Sequence, residues 1–416
     1  MKVQRFLVTA DTHKPNDRTK IGPWYEANKK IVDLAKQMKV TGLVCPGDTG
    51  VDCRGSNEAQ NCDMVSLIRP LAEAGIDYYV IDGNHDRRGS SEREVTTNSW
   101  IGNLKDADIW KHTHYWNLPG LYNVGDVQFL PLPYPPKHLF ALGKEMKGAD
   151  DMTAAASAYL LECLQANLKN VDPSKSLIIP FHGTIASPDL KIGSERFMKS
   201  GHEVSIPINA FPEWDNLVVA CGHIHLRQIL KQTPFIFYPG NLVPSEHDNE
   251  DQEPGVMYIE FRDGKFFHSE FYPVATVQYK TFRMSLADIP ADVCMPEAFI
   301  AAIVVKQYEP AVRARTTLRV VLTMAQTRVI DSSALTDALL NLGFIDVSIN
   351  KLRAEEKTLK EVKDKVNAEL GVSHEDHLKA FINRDVETQD MIKAAGVGID
   401  EILLLDGQMR QEVQHE

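Results

Sequence analysis

Five short polar clusters stand out by residue type and by order: Asp11-Thr12-His13, Gly47-Asp48, Gly83-Asn84-His85-Asp86, His182 and His223-Ile224-His225. Together they supply two carboxylates, one amide and four imidazoles able to ligate a metal, with His85 in addition. Mixed nitrogen and oxygen donors suit manganese, iron or zinc better than calcium, which prefers oxygen alone. The Asp11/His13 and His223/His225 pairs are two residues apart, and extended residues at that spacing share one face of the chain. Asp48 is the natural bridge, because a carboxylate has two oxygens and can hold two cations together. A pair of metals about 3.5 to 4 Å apart clamps a phosphoryl group for in-line displacement. Taken singly each cluster is a weak signal. A histidine after a strand is more often a hydrogen-bonded core residue than a ligand. The ordered set of five is what points to chemistry.

Each cluster follows an apolar run. Val3 to Ala10, Gly42 to Cys45 and Asp77 to Ile81 read as buried strands, separated by helical stretches at Trp24 to Met38 and Met64 to Ala74. The stripe Ala27, Ile31, Leu34 and Met38 has helical spacing. Farther on, Ala154 to Leu168 reads as a helix, and Ser176 to Pro180 and Leu217 to Cys221 as strands. Strands alternating with helices predict an α/β sheet fold, in which ligands collect beyond the carboxyl ends of the strands. Then come short strands at hairpin spacing: Gln228 to Leu230, Phe235 to Tyr238, Val256 to Phe261 and Phe266 to Tyr272. Asp263-Gly264 marks the turn between the last two. Beyond a boundary near 275, Leu318 to Met324, Ser332 to Leu342 and Ile345 to Ile349 predict a small α+β module. After Arg353 the pattern is helical, with a stripe at Leu359, Val362, Val366 and Leu370.

The 416 residues are 43% hydrophobic and 25% charged, an ordinary globular composition that excludes disordered, collagen-like and disulfide-stapled classes. No apolar run reaches the length of a membrane span. Asp11 interrupts the N-terminus before a signal-peptide core could form, and six scattered cysteines predict reduced thiols, so a cytoplasmic protein is expected. The net charge of −12 argues against non-specific polyanion binding. It is uneven: residues 353–416 carry 9 bases and 15 acids, while 306–328 carry five bases and one acid.

The ordered motifs resemble those of the calcineurin-like metallophosphoesterases. By that resemblance Asp11, His13, Asp48 and His225 hold one metal, and Asp48, Asn84, His182 and His223 the other. His85 is then the catalytic histidine, acting on the leaving oxygen, and Asp86 orients it. A narrower resemblance is to the SbcD-type DNA-repair nucleases. It rests on Phe237-Tyr238-Pro239-Gly240-Asn241 and on Gly255-Val256-Met257-Tyr258-Ile259-Glu260. It implies a four-layer αββα metallophosphoesterase core over 1–275, a capping domain over 276–352 and a helical, ATPase-binding region over 353–416. It also implies two divalent ions, manganese above all, a DNA substrate, a homodimer and an SbcC-like coiled-coil ATPase partner. The chain departs from the family pattern at Lys14-Pro15, at Thr49-Gly50-Val51-Asp52 and at Asn241, where serine is usual. That drift fits a divergent member, such as a phage-encoded one acting in the host cytoplasm.

Arg87 and Arg88 follow the catalytic motif and are candidate phosphate contacts. Arg313, Arg315 and Arg319 alternate at strand spacing and form a candidate DNA-facing strip on the cap. Two rivals to the nuclease reading remain open. One is a stand-alone phosphoesterase for nucleotides or small phosphate esters. The other is a non-catalytic scaffold, against which stands the cost of retaining seven buried polar ligands.

Overall fold

The computed structural model describes residues 1–14, 18–49, 58–86, 107–137, 140, 149–192, 203–243, 250, 253–274, 277–290, 292–323 and 329–352. In chain order the elements are β1 (Val3–Val8), α1 (Arg18–Met38), β2 (Gly42–Cys45), α2 (Glu58–Glu73), β3 (Asp77–Ile81), α3 (Ala107–Trp110), β4 (Thr113–Trp116), β5 (Tyr122–Val124), β6 (Val127–Phe129) and α4 (Ala149–Leu168). Next come β7 (Ser176–His182), β8 (Thr184–Ala186), β9 (Ser205–Pro207), β10 (Leu217–Gly222), β11 (Gln228–Lys231), β12 (Phe235–Tyr238), β13 (Gly255–Arg262) and β14 (Lys265–Pro273). The last are β15 (Gln278–Ser285), α5 (Pro296–Gln307), α6 (Pro310–Arg313), β16 (Thr316–Thr323), α7 (Ser332–Asn341) and β17 (Asp346–Leu352).

Two six-stranded sheets carry the first unit. One has the order β14-β13-β1-β2-β3-β4 and the other β11-β12-β10-β7-β6-β5. Strands β1, β2, β3 and β4 run parallel, as do β12, β10, β7 and β6. Residue alternation decides what each face meets. Phe6 and Val8 point into a cluster shared by both sheets, with Val44, Tyr79, Phe129, Ile178, Val218, Phe237 and Ile259. Leu7, between them, faces the opposite way and packs with Trp24, Ala27 and Ile31 of α1 and Leu67, Ile68 and Leu71 of α2. On the second sheet Leu177, Ile179 and Phe181 pack under Ala156, Leu160 and Leu164 of α4. The result is four layers, helix, sheet, sheet, helix, with apolar side chains filling each gap. Each fully buried Leu, Ile or Phe contributes roughly 1.5–3 kcal/mol, so three stacked interfaces can hold a site whose own polar groups oppose folding.

The hairpin turn falls at Asp263-Gly264, whose φ values of 47° and 84° both lie in the left-handed region that a two-residue turn needs. The strands β4, β5 and β6 were not legible in the sequence, being three or four residues long and only partly apolar.

The chain folds as two compact units: Met1–Phe282 with Ala301–Arg319 and Thr336–Ser348, and Arg283–Ile300 with Val320–Leu335 and Ile349–Glu416. A three-stranded sheet has the order β15-β16-β17. Within the second unit the Asp331 N–H donates to Glu297 Oε1 at 2.8 Å, and Lys351 Nζ to the Ile330 carbonyl at 2.8 Å. Among the described residues no helix is long and apolar enough to cross a membrane. The predicted helices of 353–416 lie outside the described residues.

Candidate metal centre

The polar clusters sit at the carboxyl ends of β1, β2, β3, β7 and β10, all of them inner parallel strands. Strands of that kind end together, so five sequence-distant clusters arrive at one place. Backbone bonds lock the turns. The Asp11 N–H donates to the Gly47 carbonyl at 3.2 Å, and His13 N–H to the Asp48 carbonyl at 3.1 Å. His223 N–H donates to both Asp11 oxygens, at 2.9 and 3.0 Å. His85 N–H donates to Asp48 Oδ1 at 2.8 Å.

Asp11 and His13 do not reach the site as extended residues, contrary to the reading from their spacing. Their φ values are 48° and 34°, and Asp48 and His223 are likewise positive at 52° and 94°. Left-handed backbone at a non-glycine residue costs on the order of 1–3 kcal/mol and persists only where the surroundings over-determine it. Four such residues carry the side chains of one site. Two glycines make room for them: at Gly83 a Cβ would collide with the Asp48 carboxylate, and at Gly47, with φ +93°, it would collide with the His182 ring.

Two groups of ligand atoms form, Asp11/His13/His225 and Asp48/His182/His223, with the atoms of each within 4.8 Å of one another. One oxygen lies between them. Asp48 Oδ2 is 3.7 Å from His13 Nε2 and 3.3 Å from His182 Nε2. Asn84 Oδ1 joins the second group, 3.0 Å from His182 Nε2 and 3.1 Å from His223 Nδ1. His13 Nε2 and His225 Nε2 face each other at 3.1 Å.

The charges are set by burial and by neighbours. Burial pulls the His13 and His225 rings down to about 4, with the adjacent histidines adding to it. Both are therefore neutral at neutral pH and keep a lone pair. Burial also acts to lower His182, but the charge and hydrogen bond of Asp48, then Asp11 and the Pro46 carbonyl, outweigh it and raise the ring to about 9. Asp48 is held well below the usual carboxylate range: burial opposes ionisation, and His182, His13 and His85 overcome it. A buried anion ringed by imidazoles fits a pair of divalent cations, whose binding displaces the ring proton. The tautomers fit as well. His182 Nδ1 lies 2.8 Å from the Pro46 carbonyl, so its proton sits there and Nε2 is left to the site. His223 Nε2 lies 2.9 Å from Glu203 Oε2, which frees Nδ1.

His85 is exposed at the edge of the site, its ring edge-on to His13 at 5.2 Å between centroids. Asp86, expected to orient His85, bonds to both turns of the site. Asp86 is buried; its Oδ1 accepts from the Thr49 N–H and hydroxyl at 2.9 Å each, and its Oδ2 from Gly83 N–H at 2.8 Å. Through these bonds it ties the β2 and β3 turns together. Glu203 was missed in the sequence, because it follows no apolar run and precedes a strand of three residues.

Residues 4–227, more than half of the chain, match the family described as calcineurin-like phosphoesterase. The chain belongs to that family. The metallophosphoesterase YhaO of Bacillus subtilis (strain 168), itself described as uncharacterized, is 26% identical over 243 residues, 57% of this chain and 49% of that protein. The chain thus matches about half the length of that curated relative. Among solved structures, a dimetal phosphatase from Danio rerio aligns over 62% of this chain and 92% of its own, at 12% identity and TM-score 0.36. The phosphoesterase Yfce of E. coli aligns over 64% and 98%, at 12% identity and TM-score 0.28.

The arginines of this calcineurin-like phosphoesterase are placed otherwise than the strip reading expects. Arg313 ends α6, Arg315 precedes β16, and Arg319 lies within β16, so no single strand face carries them. Pro310 is the reason: it opens a helix turn where alternation suggests a strand. Arg313 Nη1 reaches the Tyr308 carbonyl at 3.3 Å, and Arg319 Nε the Thr281 hydroxyl at 3.1 Å. Arg315 is exposed. Arg87 and Arg88 lie outside the described residues.

Proposed function

We propose that this chain is a metal-dependent phosphodiesterase that hydrolyses DNA, with manganese as its metal, as the nuclease subunit of a pair with an SbcC-like coiled-coil ATPase. The observation that carries phosphoester hydrolysis is the single oxygen, Asp48 Oδ2, between two ligand groups, with exposed His85 at their edge. Bound there, two divalent cations supply Lewis-acid charge for a phosphoryl group and activate water at neutral pH. The protein's own residues do the rest. Asp11, His13, His225, Asn84, His182 and His223 fix the positions. Asp86 holds the two turns that carry Asp48 and His85. His85, open to solvent, delivers or shares a proton with the departing oxygen. The shared motif order with SbcD-type nucleases supports DNA as substrate, residues 353–416 as the ATPase-binding part, and a homodimer.

A stand-alone phosphoesterase for nucleotides or small esters is the second reading, and one observation favours it. Two arginines of the supposed DNA strip, Arg313 and Arg319, each place a guanidinium nitrogen on an oxygen within the protein. The full chain, supplied with Mn²⁺, is assayed on linear duplex DNA, on single strands and on a small chromogenic phosphodiester. DNA cleavage that His85→Ala abolishes, and that Arg315→Ala slows without changing the small diester, supports the nuclease. Turnover of small esters with no DNA cleavage, even with the ATPase present, assigns the second reading.

A further inference from the structure

We infer that Glu203 is a positioning residue for the second half of the metal centre, fixing His223 in the tautomer that presents Nδ1. The inference rests on the two-cation reading of the site and not on the identity of the substrate. Glu203 Oε2 lies 2.9 Å from His223 Nε2. A carboxylate accepts only, so the ring proton belongs on Nε2, and Nδ1, 3.1 Å from Asn84 Oδ1, faces the site with its lone pair. The second imidazole of this half, His182, is braced by a backbone carbonyl instead. Glu203 is therefore a side-chain brace that a substitution can remove.

The local structure is built to deliver it. The two short strands β8 and β9 pair in parallel beside the end of β7. Thr184 N–H donates to the Val204 carbonyl at 2.9 Å, and Ser205 N–H to the Ser157 hydroxyl of α4 at 3.0 Å. These two bonds hold the two residues that directly follow Glu203. Gly183, at φ +155°, lets the chains approach, since a Cβ there would lie 2.9 Å from the Val204 carbonyl. Tyr238 closes the arrangement, donating to the Gly183 carbonyl and accepting from Ile185 N–H, both at 2.8 Å. Glu203 also lines a cavity of about 680 Å³ between α4 and the β8–β9 pair, with Thr153, Leu161 and Leu190.

The charge count points the same way. Among the ligands only Asp11 and Asp48 are anionic, two negative charges for two divalent cations. Glu203, one imidazole removed, adds a third, in the place that outer carboxylates take behind metal-bound histidines. Its own carboxyl is held below the usual range: burial raises it, and the bond and charge of His223, then Lys137, prevail.

Chelator-stripped full-length protein, titrated with Mn²⁺ and read by calorimetry and by the spin-resonance signal of free ion, tests this. Glu203→Ala is expected to weaken one of two equivalents by about 10–100-fold and leave the other within about twofold. Glu203→Gln, whose amide oxygen still accepts from Nε2, is expected to recover most of the loss. Wild-type affinity at both equivalents in Glu203→Ala overturns the inference, as does equal weakening of both with no rescue by Gln. If Glu203→Ala does not fold, Glu203→Ser, too short to reach Nε2, takes its place: weakening of one equivalent supports the role, and wild-type affinity at both refutes it. A wild-type protein that binds no Mn²⁺ refutes the metal centre itself, a separate failure.

Discussion

The two halves of the metal centre use the same residue types and differ in how they are held. In the half formed by Asp11, His13 and His225, the imidazoles are partly exposed and burial strips them of protons. In the half formed by Asp48, His182 and His223, all three residues are buried and each ring is braced behind, one by Pro46 and one by Glu203. The second half is preorganised and carries a proton until a cation replaces it. The first has neutral imidazoles that are partly exposed. The same carboxylate-and-imidazole core thus yields one buried subsite, joined by Asn84, and one partly exposed subsite.

The largest effect should come from the atom the halves share. Asp48→Ala is expected to abolish binding of both cations and all turnover, because it removes the oxygen facing His13 and His182 alike. Metal analysis of the purified variant checks it. One retained equivalent would show that the halves are independent sites. Next, His85→Ala should keep both equivalents while kcat falls by about 10²–10⁴, the usual worth of a general acid. Loss of metal in that variant would make His85 a ligand and move it into the first half.

Sequence order made the ligands legible, since each follows an apolar run that can only be a buried strand. Asp11, Asp48, Asn84, His182 and His223 all end or follow such runs. The left-handed turns were not legible, because two-residue spacing looks the same in extended and in turned backbone. Glu203 was hidden for a related reason: the strand it precedes is three residues long and leaves no periodic trace. The helix α5, Pro296–Gln307, was missed because apolar residues surround it on every side and give no stripe. The arginines were misread because alternation outvoted one proline. Packing over long runs is written in the sequence, while turns and short ribbons depend on partners far away in the chain.

A smaller effect separates the halves by their grip. His13→Ala should weaken one equivalent and leave the other near its original affinity, so that chelator removes the cations in two well-separated steps. His182→Ala should instead leave Asp48 buried without its principal partner, and so lower thermal stability as well as metal affinity. Stepwise chelation followed by unfolding measurements on both variants checks the order. Equal losses of stability would erase the difference in bracing.

The smallest effect is on the metal-free protein, where the two halves should respond to pH in opposite senses. His13 and His225 have pKa values lowered from 6.5 to about 4, by burial first. Between those values the unfolded chain takes up protons that the folded chain refuses, so stability falls as pH drops from about 6.5 to about 4. His182 is raised from 6.5 to about 9, because Asp48 and then Asp11 outweigh the burial that would lower it. Its contribution is fully present below pH 6.5 and is lost as pH rises through about 9. The melting temperature of chelator-treated protein should therefore peak near pH 6.5. His13→Ala should flatten the acid limb and leave the alkaline limb, and His182→Gln should do the reverse. An alkaline limb that survives His182→Gln unchanged would mean that the proton of the braced half resides on another group, and the contrast between the halves would rest on geometry alone.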